Sequence, residues 1–207
     1  MILTREIILN FVITAGLILV PIYAVIVEEP FTITLATRAV IFSLAAVGLN
    51  IALGLGGMVS LGHAVFFGLG GYTMGILAFH AQSYIPLFEW PILIEGTKQM
   101  LVVWPLAMII SAIAAFVIGL LSLRTGGVYF IMITLAFGQM FFFFSISWSA
   151  YGGEDGLSIY VRNQFPLVNT LVPIQFYAIC LAILMLALWI NARLAKSSFG
   201  LALTAAR

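Results

Sequence analysis

Between Arg38 and Glu89 fifty consecutive residues carry no formal charge, and elsewhere the polar positions gather into short clusters that separate long apolar runs. At a rise of about 1.5 Å per residue, about 20 apolar residues are enough to cross the hydrocarbon of a bilayer. Runs of that length lie at Ile7 to Val27, Ile33 to Leu53, Leu61 to Phe79, Met100 to Leu123, Val128 to Trp148 and Pro173 to Asn191. The pattern predicts an all-α polytopic bundle of six membrane spans, because a helix satisfies its own backbone where no water is present. Turn chemistry falls between the runs, at Glu29-Pro30, at Trp90-Pro91 and at Tyr151-Gly152-Gly153-Glu154-Asp155-Gly156. No linker, low-complexity tract or internal repeat interrupts the chain, so residues 1–207 are expected to form a single domain.

Composition fixes the solvent. Hydrophobic residues make up 64% of the chain and charged ones 7%, with a mean hydropathy of +1.23, whereas a soluble domain is about one-quarter charged. The apolar run after Arg5 exceeds the roughly 7 to 15 residues of a signal-peptide core, which predicts a retained first span. Trp90, Trp104, Trp148 and Trp189 stand near ends of apolar runs, where indole rings either settle at headgroup level or pack against neighbours. The net charge of +1 is spread without a basic run, which excludes nucleic acid as a ligand. Cys180 is the one cysteine and lies in an apolar run, so it reads as a small buried hydrophobe.

Charge also predicts orientation. With the N-terminus in the cytoplasm, Arg5, Arg124, Arg193, Lys196 and Arg207 fall inside and only Arg38, Lys98 and Arg162 outside, as the positive-inside rule requires. Glu28, Glu29, Glu89, Glu95, Glu154 and Asp155 then lie outside, each avoiding a cost of at least about 2.5 kcal/mol for an acid at mid-bilayer. Arg38, a few residues into the second run, either snorkels outward or faces the bundle interior.

The glycines are the most specific local signal. Nine of the nineteen lie in the uncharged stretch, grouped as Gly54, Gly56 and Gly57 and as Gly68, Gly70 and Gly71. Gly56, Ser60, Ala64 and Gly68 recur every four residues, and Gly71 and Gly75 form a G-x-x-x-G pair, the pattern of a helix face closely packed on a neighbour. The competing reading is that Gly54 to Gly62 interrupts the helix and exposes backbone groups to a path, as in transporters with broken helices. Packing is the favoured expectation. His63 is expected to make an interhelical hydrogen bond, with a pathway role second, and Thr134, Gln139 and Ser145 are expected to tie helices together. No Asp, Glu or Cys shares the span of His63, and His80 lies too far along it to complete a metal site.

Enzyme chemistry finds little support. Gly57-Met58-Val59-Ser60-Leu61-Gly62 has the wrong spacing for a nucleophile elbow. Lys98 and Lys196 lack the preceding glycines of a phosphate-cradling loop, so ATP energy would have to come from a partner.

Four stretches carry a family resemblance. They are Gly48-Leu49-Asn50 leading into Gly54 through Ala64, with Phe66-Phe67-Gly68 and Tyr72; Leu121 through Phe130, with Ile133 through Met140; Tyr151 through Leu157; and Ser197 through Leu203. Together the chain resembles the inner-membrane permeases of branched-chain amino acid ABC transporters, especially the LivM-like branch, whose relatives also carry urea and short amides. The resemblance implies a bacterial inner-membrane subunit that binds no cofactor itself. Its implied partners are a second related permease, two cytoplasmic ABC ATPase subunits that hydrolyse ATP, and a periplasmic substrate-binding protein. Ser198, Phe199, Gly200, Leu203 and Arg207 correspond to the start of the segment that docks on the ATPase.

Two departures accompany the match. Leu201 stands where relatives usually carry a basic residue, and the sequence stops at Arg207 before the further spans expected of such permeases, which reads as C-terminal truncation. The expected function is import of branched-chain or related apolar amino acids by alternating access, with the third and fifth spans lining the path and Ser60, His63, Tyr72 and Gln139 as polar contacts. Urea or short-amide uptake on the same scaffold, and a non-transporting membrane scaffold, are the alternatives.

Overall fold

Apolar sequence in a lipid solvent folds into helices because every main-chain N–H and C=O must be satisfied within its own segment. The computed structural model describes residues 16–24, 27, 30–83, 86, 96–159, 162–166 and 168–205. Its helices are α1 (residues 16–24), α2 (Pro30–Asn50), α3 (His63–Ser83), α4 (Met100–Ser122), α5 (Val128–Ser147), α6 (Pro173–Ala195) and α7 (Ser198–Ala205). Among the described residues strand-like pairing is limited to isolated bridges, Gln99 with Gln164 and Phe165 with Val168.

Five segments are long and apolar enough to cross a membrane: Phe31–Leu55, His63–Ser83, Met100–Ser122, Val128–Ser147 and Pro173–Ala195. They coincide with the second to sixth spans expected from sequence. The expected first span, Ile7 to Val27, lies largely outside the described residues, within which 16–24 are helical. The Glu29-Pro30 and Trp90-Pro91 turns also fall mostly outside them.

Hydroxyl side chains inside the spans are satisfied locally. Thr37 donates to the Ile33 carbonyl at 2.8 Å, Ser43 to Ala39 at 2.8 Å, Thr73 to Leu69 at 2.8 Å and Ser122 to Ile118 at 2.7 Å. Each bond closes one turn back on the same helix and satisfies that hydroxyl within its own span.

The chain divides into two compact units, one drawn from Met1–Gly48 and Asn169–Ala202, the other from Leu49–Val168 and Leu203–Arg207. In the first, Ala24, Ile33, Val40, Tyr177 and Leu184 form a buried cluster contributed by α1, α2 and α6. The Tyr177 hydroxyl donates to the Leu17 carbonyl, which gives the buried phenol its partner. Beyond α6 the chain turns sharply. The Ser197 hydroxyl accepts from the Gly200 amide at 3.2 Å and donates to the Leu194 carbonyl at 2.6 Å, capping α7 and closing α6 together. Gly200 is required at this elbow, because a Cβ there would sit 2.9 Å from the Ala195 carbonyl oxygen and nearer still to that of Leu194.

In the second unit α3 packs on both α4 and α5. It buries Val65, Thr73, Gly75, Leu77 and Ala78, whereas α5 buries only Thr134. Ser111 of α4 donates to the Phe66 carbonyl of α3 at 3.3 Å. The α4–α5 connection is short, with Thr125 donating to the Ser122 carbonyl at 2.7 Å and Gly127 at φ +59°. At the other end of α4, the Met100 amide donates to the Gln164 carbonyl at 2.9 Å, and the Trp104 and Phe165 rings lie 5.6 Å apart.

Gly200→Val should destabilise the protein by about 1–3 kcal/mol through overpacking at the elbow, and Ser197→Ala by about 1 kcal/mol through loss of the cap. Gly119→Ala, where a new Cβ meets nothing within 4 Å, should leave stability within about 0.5 kcal/mol of the parent. Unfolding in detergent, followed by circular dichroism, measures all three.

Candidate functional site

The glycine-rich segment is a break between two helices. The last turn of α2 widens into a π-helical segment, Ile51–Leu55, whose Gly56 amide reaches the Ile51 carbonyl at 3.2 Å. Gly57 then takes φ +63°, a left-handed conformation costly for any residue with a Cβ, and residues 58–62 continue without helical structure until α3 begins at His63. The four-residue spacing of Gly56, Ser60, Ala64 and Gly68 therefore does not mark one helix face. The expected packed face is corrected there, because Gly56 and Ser60 lie outside α3, in the connection that ends at His63. Gly54 lies in the π turn, where a Cβ would come 2.5 Å from the Asn50 Oδ1.

Close approach occurs one step further on. A Cβ at Gly62 would collide with the Thr134 carbonyl oxygen of α5, and the Leu61 amide donates to the Thr134 hydroxyl at 3.3 Å. Gly138, one turn beyond Thr134, is small enough that even an added Cβ would stay 3.9 Å from the Gly62 Cα. The start of α3 is thus pinned to α5 by a missing side chain and one hydrogen bond.

Above this pin α3 and α5 enclose a cleft of about 640 Å³, a volume within the usual range for small-molecule sites. Its α3 wall includes Ala64, Gly68 and Tyr72, its α5 wall Leu135, Gln139 and Ser145, and Glu154 borders it from the loop after α5. The Tyr72 hydroxyl donates to the Ser145 carbonyl at 3.3 Å, a second tie between the walls. Gln139 is exposed on the cleft, and its amide makes no hydrogen bond among the described residues.

Of the four residues expected to contact substrate, the structure brings Tyr72 and Gln139 to the cleft. Ser60 is half-buried in the break, and His63 stands at the foot of α3 with its ring edge-on to Phe66 at 5.7 Å. His63 makes no hydrogen bond among the described residues, so the expected interhelical bond is not formed there. Thr134 ties helices through its hydroxyl, whereas the Ser145 hydroxyl donates to the Phe141 carbonyl of its own helix and only its main-chain carbonyl receives Tyr72, and the Gln139 side chain makes no such tie among the described residues. A Cβ on Gly68 or Gly71 would meet nothing within 4 Å, whereas one on Gly75 would lie 2.5 Å from the Leu157 Cδ2. Tight glycine contacts therefore occur just before this helix at Gly62, within it at Gly75 and against its Leu77 to Ala81 backbone from Gly96, while Gly68 leaves room in the cleft. In α7, Ser198 and Phe199 are exposed and Gly200 is buried, Leu203 is half-buried, and Arg207 lies outside the described residues.

Sequence reasoning singled out neither Gly138 nor Glu154 as a site residue, and it placed Gly62 only at the end of the Gly54 to Gly62 interruption. Gly62 and Gly138 are legible only as a pair across two helices, and no intrahelical spacing connects them. Among the described residues no three His, Cys, Asp or Glu side chains gather as a metal site would require.

Helices of this length and apolarity, joined through a break and enclosing a cleft with a few convergent polar groups, define a polytopic α-helical membrane protein. Residues 31–207 match the family described as the branched-chain amino acid transport system permease component, and the chain belongs to that family. It is 30% identical over 148 residues to the high-affinity branched-chain amino acid transport system permease protein LivM of Salmonella typhimurium, and equally to that of Escherichia coli. In each case the aligned region is 69% of this chain and 31% of the relative, so the chain spans under a third of the length of these curated relatives. No solved structure matches it.

Gly62→Val should cost about 3 kcal/mol, the upper end expected for overpacking, because the Thr134 carbonyl is main chain and cannot rotate away. Thr134→Val should cost about 1 kcal/mol through loss of the bond to Leu61. Gly71→Ala should be silent. Denaturation midpoints of the purified protein, compared pairwise, test the ranking.

Proposed function

We propose that this chain is a transmembrane permease subunit of an ATP-driven importer for branched-chain or related apolar amino acids. The observation that carries the reading is the α3/α5 cleft, where an apolar lining surrounds the unpartnered amide of Gln139 and the hydroxyl of Tyr72. An amide left without a partner inside a span is costly in lipid, so this face turns toward a substrate path and not toward acyl chains. Membership of a branched-chain amino acid permease family supports the substrate class.

The remainder of the machine follows from the same reading. The chain acts as one permease domain in the bacterial inner membrane with its N-terminus in the cytoplasm, consistent with Arg124, Arg193 and Lys196 on that side. It pairs with a second permease, receives substrate from a periplasmic binding protein and draws energy from two cytoplasmic ATPase subunits, with no nucleotide site or cofactor of its own. The α6–α7 elbow supports a docking role for Ser198, Phe199, Gly200 and Leu203, with Arg207 beyond them. An eight-residue helix locked onto the end of a span by Ser197 and Gly200 transmits ATPase closure to that span as movement of a rigid lever. The bundle then alternates between states open to either side.

Proteoliposomes carrying this permease with its partner subunits should accumulate leucine only when ATP is supplied. Gln139→Leu should lower kcat/KM for uptake by about tenfold, the equivalent of one lost hydrogen bond of about 1.4 kcal/mol, with subunit assembly intact by co-purification. Full uptake by Gln139→Leu would remove the cleft from the path. Reporter fusions placing the α7 end outside the cell would remove the ATPase dock.

A further inference from the structure

Among the described residues Glu154 is the one formally charged residue that borders the α3/α5 cleft. It lies in the second of two short 3-10 turns, Ser149–Tyr151 and Gly153–Asp155, which follow directly on α5. Gly152 at φ +91°, Gly153 at +52° and Gly156 at +77° make this tight path possible. From the α3 side, His80 Nε2 lies 2.9 Å from the Tyr151 hydroxyl, and Phe79 meets the Tyr151 ring edge-on at 5.9 Å. Trp148 meets the Tyr151 ring edge-on at 4.9 Å, and Leu157 fits against Gly75 where a side chain would exclude it. The loop is therefore clamped to the Ser83 end of α3, and the acid stands at a fixed place on the rim.

The carboxylate has no cation partner among the described residues. The lining below it is mostly apolar, with Leu61, Val65, Leu69, Leu135 and Phe142 among its members, and the one amide with free donors is that of Gln139. A zwitterion with a branched apolar side chain needs three things from a site: an anion for its ammonium, a donor for its carboxylate and an apolar wall for the rest. The cleft offers all three, and a charge-assisted bond gains strength beside a low-dielectric wall.

We infer that Glu154 is a specificity-determining residue at the cleft mouth, where its carboxylate receives the α-ammonium group of the incoming amino acid before the molecule moves deeper toward Gln139. This rests on the importer reading above and sharpens it, because urea and short amides present no cation to Glu154. Asp155 occupies the same turn and the same side of the membrane but does not border the cleft, so it serves as the matched control.

The test is ATP-driven uptake into proteoliposomes holding the complete complex, with leucine and urea as separate probes and assembly checked by co-purification. Glu154→Gln should raise KM for leucine at least about tenfold, Glu154→Asp should restore most of the loss, and Asp155→Asn should behave as the parent. A parent that imports leucine together with a Glu154→Gln variant of unchanged KM overturns the inference and leaves the importer reading standing. An equal loss in Asp155→Asn overturns it as well, since general surface charge would then be responsible. A parent that imports urea and not leucine overturns both.

Discussion

Where Gly62 meets the main chain of Thr134, the foot of α3 comes so near α5 that a Cβ would collide, and the cleft between the two helices is arranged from that point. In lipid there is no hydrophobic drive to bring one apolar helix to another, so association depends on close dispersion contact and on a few interhelical hydrogen bonds. Here a glycine supplies the first, and the Leu61 amide on the Thr134 hydroxyl supplies the second. With the foot of α3 fixed, Tyr72 lies about 15 Å along the helix and reaches the Ser145 carbonyl on the same neighbour. The cleft is the space left between these two ties.

The break before α3 is the complement of that arrangement. A positive-φ glycine at position 57 lets the chain leave the π turn at a conformation that a residue with a Cβ would adopt only at a cost. The π turn at the end of α2 shifts the register of the last hydrogen bonds, with Gly56 reaching back five residues to Ile51 and Met58 six to Ala52. Those bonds satisfy main-chain groups that would otherwise face an apolar solvent at the end of the helix.

The spans were legible from sequence because a bilayer imposes length and apolarity directly. Met100, Val128 and Pro173 begin their helices where the apolar runs begin, and Pro173 suits a first helical turn because it lacks an amide hydrogen. The break was legible only as one of two readings. Glycine at four-residue intervals supports a packed helix face and an interrupted helix equally, and what separates them is the dihedral at Gly57, which no spacing encodes. Tyr72 and Gln139 were legible as polar residues in apolar spans, yet His63 has the same description and stands below the cleft. Glu154 was legible as an acid in an outer turn but not as a neighbour of the cleft, because that position depends on the loop packing against α3, where Gly75 makes room for Leu157, a contact between residues far apart in the chain.

The self-bonded hydroxyls have a mechanical meaning. Since Thr73 and Ser122 return their hydrogens to their own helices, neither hydroxyl anchors its helix sidewise. Polar hold on α3 comes instead from discrete stations, the Thr134 and Tyr72 ties to α5, the Ser111 bond from α4 and the Tyr151 hydroxyl at the Ser83 end. A force along such a helix is met at those stations and not by a continuous seam of side-chain bonds.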